Sequence, residues 1–211
     1  FLMNGDHRHL HSFPSRRASD LEIDNGHGSN TAGKCSPDKK HREYKWSRDF
    51  ASRIETALKA NGYNAQRIVT ETTDISISTR CRRVNIICRE FGAKNVILIS
   101  IHNNAAGSDG KWHEARGFSA HVSLNASANS KKLATCITKA VDGKGIKIRK
   151  PLPTQYYWPQ NLGICRDTNC PAVLCENLFQ DNKEDVALLY DEAFLSKLCD
   201  AYVEAIENYL K

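Results

Sequence analysis

The chain has 211 residues, of which 40% are hydrophobic, and this is enough for one compact domain with a full apolar core. Its formal net charge of +6 is mild for this length; it would favour anionic surfaces, including cell-wall polymers, but is more typical of an ordinary solvated surface. No apolar run approaches the roughly 18 residues that span a bilayer, so we expect no membrane-spanning segment. No secretory signal peptide is visible.

The eight cysteines are too few to form a disulfide scaffold in a chain of this length. Cys165, Cys170 and Cys175 are evenly spaced, which suggests a metal site. Their spacing is not Cys-x-x-Cys, however, and two of them fall in apolar, strand-like runs. We therefore expect small buried side chains rather than metal ligands, and synthesis in a reducing compartment.

Residues 1–20 are polar and basic, without a helical or strand period, and contain the alternating His7, His9 and His11. We expect a mobile leader or a segment added to the protein, in which the histidines could hold metal only loosely. The predicted domain is therefore residues 21–211.

A short apolar strand over residues 21–23 leads into Gly26-His27-Gly28, where the two glycines permit a tight turn that would present the imidazole to a ligand. Taken alone, this tripeptide is more typical of a simple turn. The next predicted helix covers residues 43–60, and Glu43 lies on its apolar face. A glutamate at a helix start is favoured by the dipole, but a buried carboxylate needs a partner, and a metal ion would supply one.

The run over residues 96–101 is apolar on both faces and predicts a central strand covered by helices on each side. His102 follows it, at the position where open α/β sheets place ligands. Arg80 lies on the apolar stripe of a predicted helix, either extending toward solvent or holding a carboxylate near the site. Tyr157 and Trp158 lie in a segment without a clear period, where contact with carbohydrate or peptide and packing onto the domain are equally good interpretations.

The remaining predicted elements alternate between strands and helices. This order predicts a single three-layer α/β domain, with an open, twisted, mostly parallel sheet of about six strands and helices on both faces. The further strands are at residues 66–70, 117–123, 162–166 and 172–175, and the further helices at residues 78–91, 129–142, 181–190 and 194–210, with Asp181 and Glu184 as a capping box.

His27, Glu43 and His102 form a set of two imidazoles and one carboxylate, which is a known catalytic zinc set that leaves a fourth position for water. Zinc lowers the pKa of that water toward ~7. A second carboxylate is then needed to take the proton of the water and pass it to the leaving amine. Glu176 fits this role at the end of the predicted strand 172–175, although a glutamate there could also cap the following turn.

The motifs Ile-Asp-Asn-Gly-His-Gly, Ser-Ile-His-Asn-Asn-Ala and Pro-Ala-Val-Leu-Cys-Glu-Asn-Leu-Phe-Gln-Asp-Asn resemble the zinc-dependent N-acetylmuramoyl-L-alanine amidases. Their order and spacing also match, over residues 21–210. The resemblance implies that His27, Glu43 and His102 bind zinc and that Glu176 is catalytic. We also expect substrate contacts from Arg80, Asn104, Tyr157 and Trp158.

Two positions depart from the family pattern. The family usually has a small residue or proline where Asn25 stands, and Glu-x-Gly-Phe where this chain has Glu176-Asn177-Leu178-Phe179. Neither change removes a ligand or the catalytic glutamate, but both touch the edges of the site. They therefore bear on substrate preference rather than on the chemistry.

The resemblance implies a stand-alone catalytic domain, in the manner of phage or prophage lysins, that cleaves the amide between N-acetylmuramic acid and L-alanine in peptidoglycan. Another zinc hydrolase of the wall, such as a peptidase or deacetylase, is one alternative, and a non-catalytic wall-binding module is another. We expect a monomer that acts on the cell wall after synthesis in the cytoplasm. We expect no nucleic-acid or membrane partner.

Overall fold

The computed structural model describes residues 19–211, so the predicted leader and its histidines His7, His9 and His11 lie outside the described residues. Strand β1 begins at Asp20, the last residue assigned to the leader. Within the described range, none of the helices combines the length and apolar character needed to cross a membrane. The elements in chain order are β1 (Asp20–Asn25), α1 (Glu43–Ala60), β2 (Asn64–Arg67), α2 (Ile77–Phe91), β3 (Val96–Asn104), β4 (Ser119–Ser123), α3 (Ala128–Gly143), β5 (Trp158–Gln160), α4 (Gly163–Arg166), β6 (Ala172–Phe179), α5 (Lys183–Leu188) and α6 (Glu192–Leu210).

The six strands form one open sheet in the order β2-β1-β3-β6-β4-β5. Strands β2, β1, β3 and β6 are parallel, whereas β4 pairs antiparallel with β6. Strand β5 pairs with β4 in parallel at the edge of the sheet. The predicted fold class, a mostly parallel three-layer α/β domain, is confirmed. Because β1, β3 and β6 are parallel neighbours, their carboxyl ends meet at one edge of the sheet, which is where ligands bind in open α/β sheets.

Helices cover both faces of the sheet, as the apolar run of β3 predicts. Helices α1, α3 and α6 pack on one face, where Ile97, Ile99 and Ile101 of β3 belong to the larger apolar cluster. Helices α2 and α4 pack on the other face, over Val96 and Leu98. Strand β3 is therefore buried on both sides, and its carboxyl end is held rigidly.

Three local predictions were wrong. Residues 162–166 form the short helix α4 rather than a strand, and a helical turn allows the consecutive Ile164 and Cys165 both to be buried. Strand β2 begins two residues earlier than predicted and ends at Arg67. The helix after β6 is capped by the Asn182 side chain, which accepts from the Asp185 N–H, rather than by a box formed by residues 181 and 184.

Strand β5 was missed in the sequence because it has only three residues and contains Pro159, a residue that central strands exclude but edge strands tolerate. All eight cysteines are free thiols. Cys165 lies in α4 instead of the predicted strand, Cys175 lies in β6 as predicted, and burial raises the pKa of both thiols.

Candidate metal centre and catalytic cleft

The turn after β1 places His27 at the carboxyl edge of the sheet by an unusual backbone conformation. His27 itself adopts a φ of 60°, in the left-handed region, whereas its two glycine neighbours do not. The glycines are needed for a different reason from the tight turn that we predicted. A Cβ on Gly26 would overlap the His102 ring, and a Cβ on Gly28 would overlap the backbone of Asp74. The Gly-His-Gly motif therefore lets three segments approach one another closely.

His27, Glu43 and His102 come together at this edge as the sequence predicts. Glu43 Oε1 lies 3.3 Å from His27 Nε2 and 3.0 Å from His102 Nδ1, and the ligand atoms of the three residues all lie within 4.8 Å of one another. The Glu43 side chain is fully buried, and its Oε2 atom has no hydrogen-bond partner. A buried, unsatisfied carboxylate oxygen beside two imidazoles fits a divalent cation, and nitrogen and oxygen donors suit zinc.

The charge state of Glu43 also suits a cation. Burial raises the pKa of Glu43, but the hydrogen bonds from His102 and His27 outweigh that effect and hold the pKa below its usual range. A hydrogen bond from the Asn103 backbone N–H to Glu43 Oε1, 3.0 Å long, adds to this stabilisation of the charged form. Glu43 therefore carries a negative charge in the buried wall of the site, as a ligand for a cation should.

A buried polar network behind Glu43 holds Asn103 in place, and sequence reasoning missed it. His41, which is fully buried, contacts the Asn103 side-chain oxygen through Nε2 at 3.0 Å and the Tyr190 hydroxyl through Nδ1 at 3.1 Å. Asn103 also donates to the Asn177 carbonyl. No signal in the sequence separated His41 from the lysines and arginine that surround it, because its burial depends on the distant Tyr190.

Glu176 lies directly beside His102, since the two residues are register partners on β6 and β3. The side chain is partly exposed to the cleft, but its Oε2 atom is inaccessible and has no hydrogen-bond partner. Burial raises the pKa of Glu176 to about 7; the nearby Glu43 charge also raises it, while His102 and Lys34 lower it. A carboxylate in this environment can both accept and donate a proton near neutral pH.

The cleft beside these groups has a volume of about 450 Å³. His27, His102 and Glu176 lie along it with the lysine Lys34. Sequence reasoning missed Lys34 and the apolar wall, because both depend on how the loops and α4 fold over the strand ends. The apolar wall consists of Ile75, Ile77, Leu162, Ile164 and Leu174.

Arg80 also borders the cleft, but it is buried and donates all five of its N–H groups inside the protein. Two of these bonds go to the backbone carbonyls of Asn25 and His27. Arg80 therefore fixes the turn that carries His27, in line with the predicted option that it holds a carboxylate near the site. The other three acceptors are the Asp24 carboxylate, the Asp74 carboxylate and the Ile75 carbonyl.

The other three predicted substrate-contact residues lie outside the lining of this cleft. The side chain of Asn104 accepts from the Ala105 N–H. Tyr157 is partly buried against the larger apolar cluster. Trp158 lies in β5, stacked on His121 with ring centroids 6.4 Å apart. The structure thus brings together His27, Glu43, His102, Glu176 and Arg80, and leaves these three at the periphery.

A protein-family model described as N-acetylmuramoyl-L-alanine amidase (Amidase_3) matches residues 22–208. The chain belongs to this family. The endolysin of Bacillus phage SPP1 is 28% identical over 196 residues, which cover 89% of this chain and 65% of the phage protein. The probable cell wall amidase LytH of Staphylococcus aureus is 24% identical over 190 residues, covering 90% of this chain and 57% of LytH. The chain therefore spans less than two thirds of the length of these relatives.

Solved structures share the fold. The N-acetylmuramoyl-L-alanine amidase of Clostridium difficile 630 superposes with a TM-score of 0.77 at 24% identity, over 92% of this chain and 97% of that one. The amidase Ami1 of Mycobacterium smegmatis also gives 0.77, at 19% identity, over 93% and 99% of the two chains. At these identities the likeness establishes the architecture.

The two departures from the family pattern have structural consequences. Leu178 adopts a φ of 67° where the resemblance predicts glycine, and it lies in a β-bulge where β6 has one more residue than β3. The Asn25 side chain is fully buried, and neither its amide nitrogen nor its oxygen has a hydrogen-bond partner. Both are unfavourable features next to the site, at positions where a smaller residue would avoid the cost.

Proposed function

We propose that this chain hydrolyses the amide bond between the lactyl group of N-acetylmuramic acid and the L-alanine of the peptide in peptidoglycan, with zinc held by His27, Glu43 and His102. The observation that carries the proposal is Glu176, a carboxylate of raised pKa that borders the same cleft as the two imidazoles. A site that only stores metal, or only binds a polymer, needs no such group.

The metal would supply Lewis acidity toward the amide carbonyl and would lower the pKa of a water molecule. The residues of the chain do the rest. Glu43 and the two histidines would hold the metal, and Arg80 holds the backbone of His27 in place. Glu176 accepts the proton of the attacking water on its carboxylate and donates it to the nitrogen of L-alanine as the C–N bond breaks.

The cleft is open at the carboxyl edge of the sheet, so a polymer can lie across it. Peptidoglycan is therefore the macromolecular partner in this proposal, and the cell wall is the place of action. The substrate carries its scissile amide on a lactyl side chain, away from the sugar ring. The peripheral Asn104, Tyr157 and Trp158 would contact parts of the polymer beyond the scissile bond.

A glutamine substitution tests the role assigned to Glu176. In Glu176→Gln the side chain keeps its size but cannot accept a proton, so we expect turnover of peptidoglycan to fall by about 10²–10⁴-fold while bound zinc stays at one ion per chain. Zinc content is measured by elemental analysis, and turnover by release of soluble muropeptides. Glu90→Gln, which removes an exposed carboxylate from α2, is the matched control and should leave both unchanged. A Glu176→Gln protein with most of its activity would contradict the mechanism.

A further inference from the structure

The loop between β1 and α1 fixes Lys34 to the start of the helix that carries Glu43. The Lys34 carbonyl accepts a hydrogen bond of 3.1 Å from the Glu43 backbone N–H, and the neighbouring residues Cys35 and Arg42 form an antiparallel bridge. The backbone of Lys34 is therefore tied to the first residue of α1, and Lys34 lines the cleft.

The Lys34 ammonium has no acidic partner among residues 19–211, in contrast to the other basic group of the cleft. The described ion pairs of the chain do not include Lys34. Arg80 has no N–H left to donate, and it pairs with Asp24 and Asp74, the two aspartates that line the same cleft. A bound anion would therefore meet a free ammonium only at Lys34.

The chemistry of the proposed substrate decides where such an anion can be. The lactyl carboxyl group of N-acetylmuramic acid is consumed in the scissile amide, and the N-acetyl group is neutral. Carboxylates are therefore found on the peptide side of the bond. Glu176, which protonates the departing nitrogen of the peptide, marks that side of the cleft, and Lys34 lines the same cleft as Glu176.

We propose that Lys34 is a specificity-determining residue that binds a carboxylate of the substrate peptide, so that the enzyme prefers acidic peptides to amidated ones. This inference rests on the proposed function for the identity of the substrate. The expected effect is on binding, because an ammonium–carboxylate contact formed in the substrate complex persists in the transition state and changes KM more than kcat.

The test compares two soluble probes, N-acetylmuramoyl-L-alanyl-D-glutamate and its diamide, which differ only in their carboxylates. We expect the wild-type zinc enzyme to favour the acid by about tenfold in kcat/KM, mainly through KM, as befits one charge-assisted hydrogen bond. Lys34→Met should lose this preference, and Lys34→Arg, which keeps the charge, should retain most of it. Lys45→Met, which removes an exposed lysine of α1 outside the cleft, is the matched control and should behave as wild type.

Two outcomes would overturn the inference while leaving the proposed function intact. One is equal cleavage of both probes by the wild-type enzyme. The other is an equal loss of kcat on both probes in Lys34→Met, which would mean that Lys34 stabilises charge in the reaction rather than binding a carboxylate of the peptide.

A binding measurement decides the inference even without turnover. Calorimetric titration of the product peptide L-alanyl-D-glutamate and its diamide should show weaker binding of the diamide to the wild-type protein and no such difference in Lys34→Met. If peptidoglycan is not cleaved but this difference is present, the proposed function fails and the carboxylate site stands. If binding shows no difference, the carboxylate site is refuted.

Discussion

Arg80 shapes the candidate cleft by hydrogen bonding to its backbone, and it has no N–H left to donate to a ligand. Its guanidinium joins the Asp24 and Asp74 carboxylates to the carbonyls of Asn25 and His27. The planar five-donor geometry is essential to this arrangement, because lysine offers three donors from a single point. The left-handed conformation of His27 is thereby maintained next to the candidate metal site.

The substitution Arg80→Lys keeps the positive charge but removes the planar guanidinium, so it tests whether the geometry of Arg80 is needed. We expect the free energy of unfolding to fall by about 2–4 kcal/mol, because buried acceptors lose their donors. We also expect at least a tenfold loss of zinc affinity, because the His27 carbonyl is released. Denaturant unfolding and competition with a zinc-binding dye measure the two effects. Arg89→Lys, an exposed position on α2, serves as the control, and an unchanged zinc affinity in Arg80→Lys would contradict the positioning role.

Glu22 is a buried carboxylate far along β1 from the metal site, and it makes the stability of the protein depend on pH. Burial raises the pKa of Glu22 to about 7; the hydrogen bond from Gln66 lowers it, and Asp20 raises it. Because the folded-state pKa lies above the unfolded value of 4.5, the neutral form stabilises the fold. That stability is fully present below pH ~4.5 and is lost as the pH rises through about 7.

We accordingly expect Glu22→Gln to match the wild-type protein at pH 4 and to exceed it at pH 8.5, by at most about 3 kcal/mol in the free energy of unfolding. Chemical denaturation at the two pH values measures the difference. Glu90→Gln should show no such divergence. The assignment to Glu22 would be refuted by a variant that follows the wild-type pH profile.

The sequence predicts the type and the ends of some helices and strands better than those of others. Helix α1 was predicted with its observed ends, because its apolar stripe is regular and Asn61-Gly62 ends it. Strand β3 was predicted from its apolar run, and it continues three residues further, through His102 to Asn104. By contrast, the apolar run of α4 is too short to distinguish a strand from a helical turn, and in the folded chain α4 packs against α2, β6 and β4.

The residues of the candidate site likewise fall into two groups, those that could be predicted from the sequence and those that could not. His27, Glu43, His102 and Glu176 were predictable because each stands at the end of a recognisable element and within a family motif. His41 and Lys34 were not, because their neighbours in the sequence are ordinary polar residues and their roles come from contacts formed only in the folded chain.

The turn between β1 and α1 offers a direct test of close packing between elements. In Gly26→Ala the new Cβ would overlap the His102 ring, while the backbone conformation of Gly26 is open to alanine. We expect a folded protein whose zinc affinity is at least tenfold weaker, because His102 must move. Gly143→Ala, where a Cβ meets no other atom, is the control for the glycine substitution itself. Circular dichroism and zinc competition report the fold and the affinity, and undiminished affinity in Gly26→Ala would count against this packing.

At the scale of the whole molecule, the sheet order explains why residues far apart in the sequence form one site. Strands β1, β3 and β6 are adjacent and parallel, so their carboxyl ends deliver His27, His102 and Glu176 to one edge, and α1 begins there with Glu43. The bulge in β6 after Glu176 adjusts the strand end locally. The polypeptide between these strands supplies Lys34 and most of the apolar cleft wall.

The most direct test of the account is to identify the bond that the protein breaks. Purified peptidoglycan is incubated with the protein before and after treatment with a chelator, and the released ends are identified by mass spectrometry, with Glu176→Gln as the inactive control. We predict new free amino termini on L-alanine that disappear on chelation and return when zinc is added. Cleavage at a different bond, or cleavage that persists after the metal has been removed, would contradict the account.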